Sequence, residues 1–356
     1  MTTNPGMGRA RPAFGRTLRL GRGAASVALT VAITLVGLVA LTFFIGRIVP
    51  IDPVLTVVGD QAPQDVYDRV FREMGLDQPV IVQFASYLRD IVTGDLGQSM
   101  VSGRSVASDI LRFFPATFEL AILGILIGVA LGIPAGVIAA VKRDTWVDHI
   151  ARIVALIGYS VPIFWLALMA LLVFYAKLEW VGGPGQIDIG YAYSFSRVTG
   201  FILIDTALSG SWDVFANAVS HIVLPALLIG YYSMAYISRM TRSVMLEQLN
   251  SEYVLAARLK GASEYRIVVH HALRNAAIPL VTIVALSFGG LLEGSVLIET
   301  VFSWPGLGNY IAQSLLSGDI NAVLGGTLVV GTIFVLLNVG SDLLYRVLDP
   351  RTRSAT

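Results

Sequence analysis

The sequence contains no cysteine. Disulfide bridges, thiolate catalysis and metal sites built on cysteine sulfur are therefore excluded. Charged residues are scarce as well, at 14% of the 356 residues, and they nearly cancel to a net charge of +1. A near-neutral chain of this kind gives no indication of a nucleic-acid partner.

Motifs for nucleotide, metal and acyl chemistry are also missing. A phosphate-binding loop needs Gly-Lys followed by Ser or Thr, whereas Lys142, Lys177 and Lys260 precede Arg, Leu and Gly. The four histidines form no His-Glu-x-x-His pattern, and there is no Gly-x-Ser-x-Gly elbow. We expect no enzymatic activity, no metal and no cofactor in this chain. If ATP powers it, a separate subunit must hydrolyse the ATP.

The histidines have ordinary interpretations. His149 and the pair His270–His271 lie in or beside basic loops, which favours solvated or interfacial side chains. His221 begins the fourth apolar run near Pro225, and we interpret it as a helix-packing residue rather than a ligand.

Apolar residues are abundant, at 55% of the chain. Six apolar runs approach or exceed the roughly 20 residues that cross about 30 Å of hydrocarbon at 1.5 Å per residue. They predict an all-α integral membrane protein with six transmembrane helices. The runs cover residues 24–46, 118–141, 150–175, 216–237, 275–297 and 322–345.

The basic residues predict the orientation of these helices. Residues 1–23 contain five arginines and no acid, and Lys142 and Arg143 follow the second run. Further basic residues follow the fourth run, in 239–274, and the sixth run, at Arg346, Arg351 and Arg353. Basic loops stay in the cytoplasm, so both termini are predicted to be cytoplasmic. The first run lacks a small-residue cleavage site after it, which favours an uncleaved helix over a signal peptide.

The domain organisation follows from this orientation. A basic tail precedes the first helix, an external region follows it, and a five-helix core and a short cytoplasmic tail complete the chain. The predicted boundaries are 1–23, 24–46, 47–114, 115–346 and 347–356, with a cytoplasmic loop at 239–274.

The cytoplasmic loop carries the strongest functional signal. Ala256, Ala257 and Gly261 would give a short helix a flat face that a partner could approach closely. Gly261 also suits a left-handed helix end, and Ser263 lies three residues before Arg266, where a new helix could begin.

The residues of this loop resemble a known motif. Tyr253, Ala257 and Gly261, followed by His-Ala-Leu-Arg-Asn at 271–275 and by Pro279, resemble the coupling loop of ABC-importer permeases, more narrowly the dipeptide and oligopeptide permease family. The general motif begins with Glu, where this chain has Leu255. The resemblance implies an ATPase-coupling site formed by Tyr253, Ala256, Ala257, Lys260, Gly261 and Arg274.

A second, independent resemblance to the same family lies in the predicted external segments. The ordered motifs are Met-Gly-Leu-Asp-Gln-Pro at 74–79, Gly-Asp-Leu-Gly-x-Ser at 94–99, Phe-Pro-Ala-Thr at 114–117 and Glu-Thr-Val-Phe-x-Trp-Pro-Gly-Leu-Gly at 299–308. In that family the last segment lines the external mouth, which would place Glu299 and Trp304 on the translocation path. Trp304 has an alternative interpretation as an anchor at the membrane interface.

Polar residues inside the apolar runs are expected to face protein or water, because a charge in hydrocarbon is costly. Glu293 in the fifth run is the leading case. We interpret it as a translocation-path residue that attracts a cationic or ammonium group of the cargo, with a structural pairing to a neighbouring helix as the alternative. Asp342 has Arg346 four residues on, which favours a local helix pair.

Together the resemblances imply the fold of type I ABC-importer permeases, in the inner membrane of a prokaryote. They imply that the chain forms half of a channel for dipeptides or oligopeptides. The implied partners are a second permease, two ABC ATPase domains, an external peptide-binding protein and membrane lipid. Nickel complexes or glutathione are alternative cargoes. A self-sufficient secondary transporter is a further alternative, although such proteins usually show paired broken helices in inverted repeats.

Overall fold

The computed structural model describes residues 14–48, 52–59 and 61–348. In these residues the chain is built from α-helices with short π- and 3₁₀-helical turns, and it contains no β-strand. The predicted all-α class is confirmed. The predicted tails lie largely outside the described residues, but helix α1 already begins at Phe14. The apolar part of this helix, Val27–Gly46, is long enough to cross a membrane, and the basic segment before it continues the same helix. The predicted boundary at residue 24 stays a prediction.

The helices alternate between long spans and short connecting segments. In chain order they are α1 (Phe14–Ile48), α2 (Pro53–Val58), α3 (Gln64–Glu73), α4 (Val80–Thr93), α5 (Val106–Val141), α6 (Trp146–Ser160), α7 (Ile163–Ala170), α8 (Ile202–Leu208), α9 (Trp212–Leu249), α10 (Glu252–Leu259), α11 (Glu264–Arg266), α12 (Arg274–Val301), α13 (Leu307–Leu316) and α14 (Ile320–Leu348). Segments of π-helix extend α7 over Leu171–Lys177 and join α11 to α12 over Ile267–Leu273.

Five helices of the described chain are long and apolar enough to cross a membrane, and a sixth span results if the bent pair α6–α7 counts as one. The predicted number of spans is thus confirmed, but the helices are longer than the apolar runs. The helix of the second span, α5, starts at Val106, where Ser105 caps it by accepting a hydrogen bond from the Ser108 amide. The helix of the fourth span, α9, continues to Leu249, because no Gly or Pro interrupts its polar end.

The third span is broken, contrary to the single helix predicted over 150–175. Helix α6 ends at Ser160, and the chain bends by 98° before α7 begins at Ile163. Pro162 explains the break: its ring disfavours helical geometry at the preceding residue, and Val161 is extended, with φ −84° and ψ 126°.

A stripe of glycines holds the two central helices together. Gly124, Gly128, Gly132 and Gly136 recur every four residues on α5 and face α9. A methyl group at Gly136 would lie 2.6 Å from the carbonyl oxygen of Ser238, so only glycine allows this approach. Small residues at four-residue spacing are the usual means of close helix packing in membranes.

The motif Gly-Asp-Leu-Gly-x-Ser at 94–99 is hydrogen bonded to Asp319, the residue just before the start of α14. The fully buried Asp319 accepts hydrogen bonds from the Ser99 hydroxyl (2.6 Å) and the Met100 amide (2.8 Å). Nearby, Arg104 pairs with buried Asp109 at 2.8 Å. Burial, together with the charge of Asp109, raises the pKa of Tyr310 to about 12, so this phenol remains neutral beside the carboxylate. These contacts fix the segment before α5 onto the helical core.

Candidate functional site

The connection between α9 and α12 folds as two short helices joined by a tight turn. Helix α10 ends in a Schellman motif, in which the Gly261 amide donates to Arg258 (2.9 Å) and the Ala262 amide to Ala257 (3.1 Å). Gly261 adopts φ +79°, the left-handed conformation that the sequence predicts. Ser263 then caps the next helix by accepting from the Arg266 amide at 3.4 Å. Both local predictions are confirmed.

Burial divides this connection into an inner and an outer side. Val254, Ile267 and Ala272 are fully buried and attach the segment to the helical core. The outer side carries large apolar side chains, with exposed fractions of 82% for Leu259 and 78% for Tyr265. Exposed apolar side chains that lie together are a feature of surfaces that contact partners.

The predicted coupling residues lie on or near this outer side. Ala256, Lys260, Gly261 and Arg274 are exposed, Tyr253 is partly exposed, and Ala257 is half-buried. The predicted face of small residues is therefore only part of the surface. Sequence reasoning missed Leu259 and Tyr265, although two large apolar residues in a short basic loop were an available signal. Leu255, which replaces the motif's acid, is 58% exposed.

An ion pair between α6 and α9 lies next to the α9–α12 connection. Arg242 on α9 donates two hydrogen bonds of 2.7 Å to Asp148 on α6, which is fully buried. The two bonds are the bidentate geometry that arginine and carboxylate favour. They fix α6 to the part of α9 that leads into α10, so movement of α10 would be transmitted to both helices.

Glu293 lies on an exposed face of α12. Leu286, Gly290, Glu293, Gly294 and Leu297 are all exposed and follow the three- and four-residue spacing of a single helix face. Gly290 and Gly294 have no neighbouring atom within 4 Å of the position that a Cβ would occupy. Among the described residues, none forms a hydrogen bond or an ion pair with Glu293. Both interpretations of Glu293, as a path residue and as a structural partner, stay predictions.

Glu299 and Trp304 are enclosed by their own chain. Glu299 accepts hydrogen bonds from the Thr117 hydroxyl (2.7 Å), the Ser295 hydroxyl (2.9 Å) and the Asn309 amide (2.9 Å). The Trp304 indole donates to the Ala116 carbonyl at 3.1 Å and is fully buried. Its interpretation as a lipid-facing anchor is therefore wrong. A role of these two residues in the translocation path stays a prediction. Since both are buried, they would affect the path by setting the conformation of the segment 299–308.

The glycines of the Trp-Pro-Gly-Leu-Gly motif have a structural explanation in this network. A Cβ on Gly308 would lie 2.8 Å from the Val296 backbone and 2.9 Å from the Glu299 carboxylate. A Cβ on Gly306 would collide with the same carboxylate. The motif therefore lets the backbone fold closely over a buried acid.

His221 is a packing residue, as predicted, although α9 begins nine positions earlier than the histidine. It is almost fully buried, with Nδ1 2.9 Å from the Asn217 carbonyl and Nε2 3.4 Å from Asp188. Among the described residues, no group of three or more His, Asp or Glu side chains is arranged to hold a metal ion.

Comparisons with known proteins agree with this architecture. The model of the binding-protein-dependent transport system inner membrane component matches residues 132–354, and the model of the N-terminal part of such components matches residues 25–121. The dipeptide transport system permease protein DppB of Escherichia coli (strain K12) is 42% identical over 324 residues, covering 90% of this chain and 95% of the relative.

Two further similarities extend the comparison. The di/tripeptide transport system permease protein DppB of Pseudomonas aeruginosa (strain UCBPP-PA14) is 42% identical over 322 residues, covering 90% of this chain and 95% of that protein. A solved structure of the MetNI methionine ABC transporter, in an inward-facing conformation, aligns with a TM-score of 0.51 at 18% identity, covering 68% of this chain and 96% of that one. The chain therefore belongs to the family of inner membrane components of binding-protein-dependent transport systems, with the all-α fold of ABC-importer permeases.

Proposed function

We propose that this chain is one of two permease subunits of an ABC importer for dipeptides or oligopeptides. The observation that carries the half-channel proposal is the exposed face of α12. Glu293 lies eight residues before the end of α12, about 12 Å along the helix at 1.5 Å per residue, and the residues that the structure describes leave it exposed. A carboxylate at that depth is costly in lipid. A second permease or a water-filled path between two permeases would remove this cost.

Peptide cargo is supported by the relatives, which are named for dipeptide and tripeptide transport. They favour peptides over nickel complexes and glutathione. Within this proposal an external binding protein delivers the peptide, and Glu293 attracts its ammonium group. The protein lies in the inner membrane of a prokaryote, among lipids, with both termini in the cytoplasm as the basic loops indicate.

The outer side of α10 and α11 is the proposed docking surface for the ATPase subunits. Leu259, Tyr265 and Leu255 supply apolar contact area, and Lys260 and Arg274 supply positive charge. Because Leu255 replaces the usual acid, the contact relies on burial of apolar surface. Movement of the docked ATPases would then reach α6 and α9 through Asp148 and Arg242.

Affinity purification of the tagged chain from its own membranes tests this docking surface. Leu259→Asp places a charge on the outer side of α10 and should abolish recovery of P-loop ATPases, because an unpaired carboxylate in the contact costs several kcal/mol or about a 100-fold loss of affinity. Leu208→Asp on α8 is the matched control, since Leu208 is 70% exposed at the opposite end of the bundle.

Gly261→Arg is a less specific test, because the positive φ of Gly261 means that any side chain there would strain the turn. Loss of the ATPases in Leu259→Asp with retention in Leu208→Asp supports the docking surface. Retention in both variants, or recovery of the chain alone in the wild type, would contradict it.

A further inference from the structure

A cavity between α6 and α9 is left unexplained by cargo transport or ATPase docking. Its volume is about 510 Å³, within the range of about 300–1,000 Å³ that small-molecule sites occupy. Three arginines line it, namely Arg152 of α6 and Arg239 and Arg242 of α9, and none of its lining residues is acidic.

The three arginines are not equally neutralised. Arg242 is held by both oxygens of Asp148, and Arg152 lies 3.8 Å from the same carboxylate while its side chain remains 49% exposed. Arg239 forms no ion pair with any described residue. Its guanidinium is held over the Tyr159 ring, 4.8 Å from the ring centroid. Asp148 therefore pairs with two of the three guanidinium groups, and among the described residues Arg239 has no acidic partner. The cavity keeps an excess of positive charge.

The cavity has an apolar side and a basic side along the helix axes. Helices α6 and α9 run in opposite directions, since Asp148 contacts Arg242 and Tyr159 stacks on Tyr232. Ala155 and Leu156 of the cavity wall therefore lie towards Ala235. Arg239 and Arg242 follow directly after the predicted apolar run 216–237. The arginines at one end of the cavity and its apolar walls at the other suit an amphipathic ligand. A free anion would contact only the arginines.

We infer that this cavity binds an anionic phospholipid of the inner leaflet, with its phosphate at Arg239 and Arg152 and the start of an acyl chain along the alanine-rich wall. The leaflet assignment rests on the proposed cytoplasmic location of the α9–α12 connection. Basic pockets between membrane helices on the cytoplasmic side are suited to anionic head groups. Arginine also forms paired hydrogen bonds to phosphate oxygens.

Native mass spectrometry of the purified full-length protein, titrated with phosphatidylglycerol, measures this binding directly. Arg239→Gln should weaken phosphatidylglycerol binding about fivefold, the equivalent of about 1 kcal/mol per basic residue at the membrane surface. Adding Arg152→Gln should weaken it roughly 25-fold if the two contributions add. Arg242 is left unchanged, because its removal would leave the buried Asp148 without its pair.

The control variant is Arg143→Gln, which removes an exposed cation from the same end of the bundle without touching the cavity. It should bind phosphatidylglycerol as the wild type does. Arg239→Lys keeps the charge and should retain most of the binding, which separates loss of the site from loss of the fold.

Four results would overturn the inference. Phosphatidylcholine could bind as tightly as phosphatidylglycerol, inorganic phosphate at millimolar concentration could displace the lipid, or a dipeptide could displace it. Equal weakening by Arg143→Gln would indicate general surface attraction. The titration requires neither ATPase nor cargo, so its failure is distinct from failure of the proposed transport function, which the affinity purification measures.

Discussion

Two glutamates on α12 show how differently the structure uses the same residue type. Glu299 is fully buried and hydrogen bonded to Thr117, Ser295 and Asn309, whereas Glu293 is exposed six residues earlier. The first organises the turn between α12 and α13. The second lies on the exposed face of α12, and its role in the translocation path stays a prediction.

At the residue scale, we expect Glu299→Ala to destabilise the purified protein by about 3 kcal/mol or more, because it leaves several buried donors without an acceptor. Glu293→Ala on the same helix should change the free energy of unfolding by less than about 0.5 kcal/mol. Unfolding of both variants in mixed micelles measures the difference. Equal effects would show that the buried network contributes little to stability.

At the scale of elements, the close approach of α5 and α9 depends on the glycine stripe. The approach is close because Gly136 lies against the backbone carbonyl of Ser238 and Gly128 against the side chain of Ser233. A backbone atom cannot rotate away as a side chain can, so the spacing of these helices is fixed by the sequence of α5.

We expect Gly136→Ala to destabilise the protein by about 1–3 kcal/mol through overpacking. Gly37→Ala on α1 is the matched control, since no atom lies within 4 Å of the Cβ position there. The control should be neutral or stabilising by up to about 1 kcal/mol, because alanine favours helix more than glycine does. A destabilising effect of Gly37→Ala as large as that of Gly136→Ala would contradict the packing argument.

The element boundaries also show the limit of hydropathy. The sequence predicted the end of α10 and the start of α11 correctly, because a glycine that can adopt a left-handed conformation and a serine that caps a helix are local signals. The predicted runs made α5 start too late and α9 end too early, because the polar ends of both helices are helical without being apolar. Hydropathy predicted one helix for the third span although Pro162 lies inside it, and the 98° bend depends on how α7 packs against other helices.

At the scale of the whole molecule, the exposed stripe on α12 is the surface that the proposed second permease would cover. The chain has no cysteine, so a single engineered thiol is uniquely reactive. Gly294→Cys, labelled with a thiol-reactive photo-crosslinker, should yield an adduct with a second membrane protein of similar size. Gly294 has no neighbouring atom within 4 Å of its Cβ position, and small residues of this kind allow a second helix to pack closely.

Gly37→Cys supplies the comparison, because that position on α1 is also exposed and is expected to face lipid. Protein adducts at Gly294 and lipid adducts at Gly37, identified by mass spectrometry, are the expected outcome. Lipid adducts alone at both positions would contradict a paired channel and leave Glu293 facing the membrane.

The sequence by itself determined the all-α class, the number of spans and the conformation at Gly261. These properties depend on local composition and backbone preference, which are readable in a short window. Only the tertiary structure decided that Glu299 and Trp304 are buried, because their partners at Thr117 and Ala116 lie more than 180 positions away. The excess charge of the cavity at Arg239 was decided in the same way. It depends on which carboxylates the folded helices bring near, and that is a property of the packing of α6 against α9.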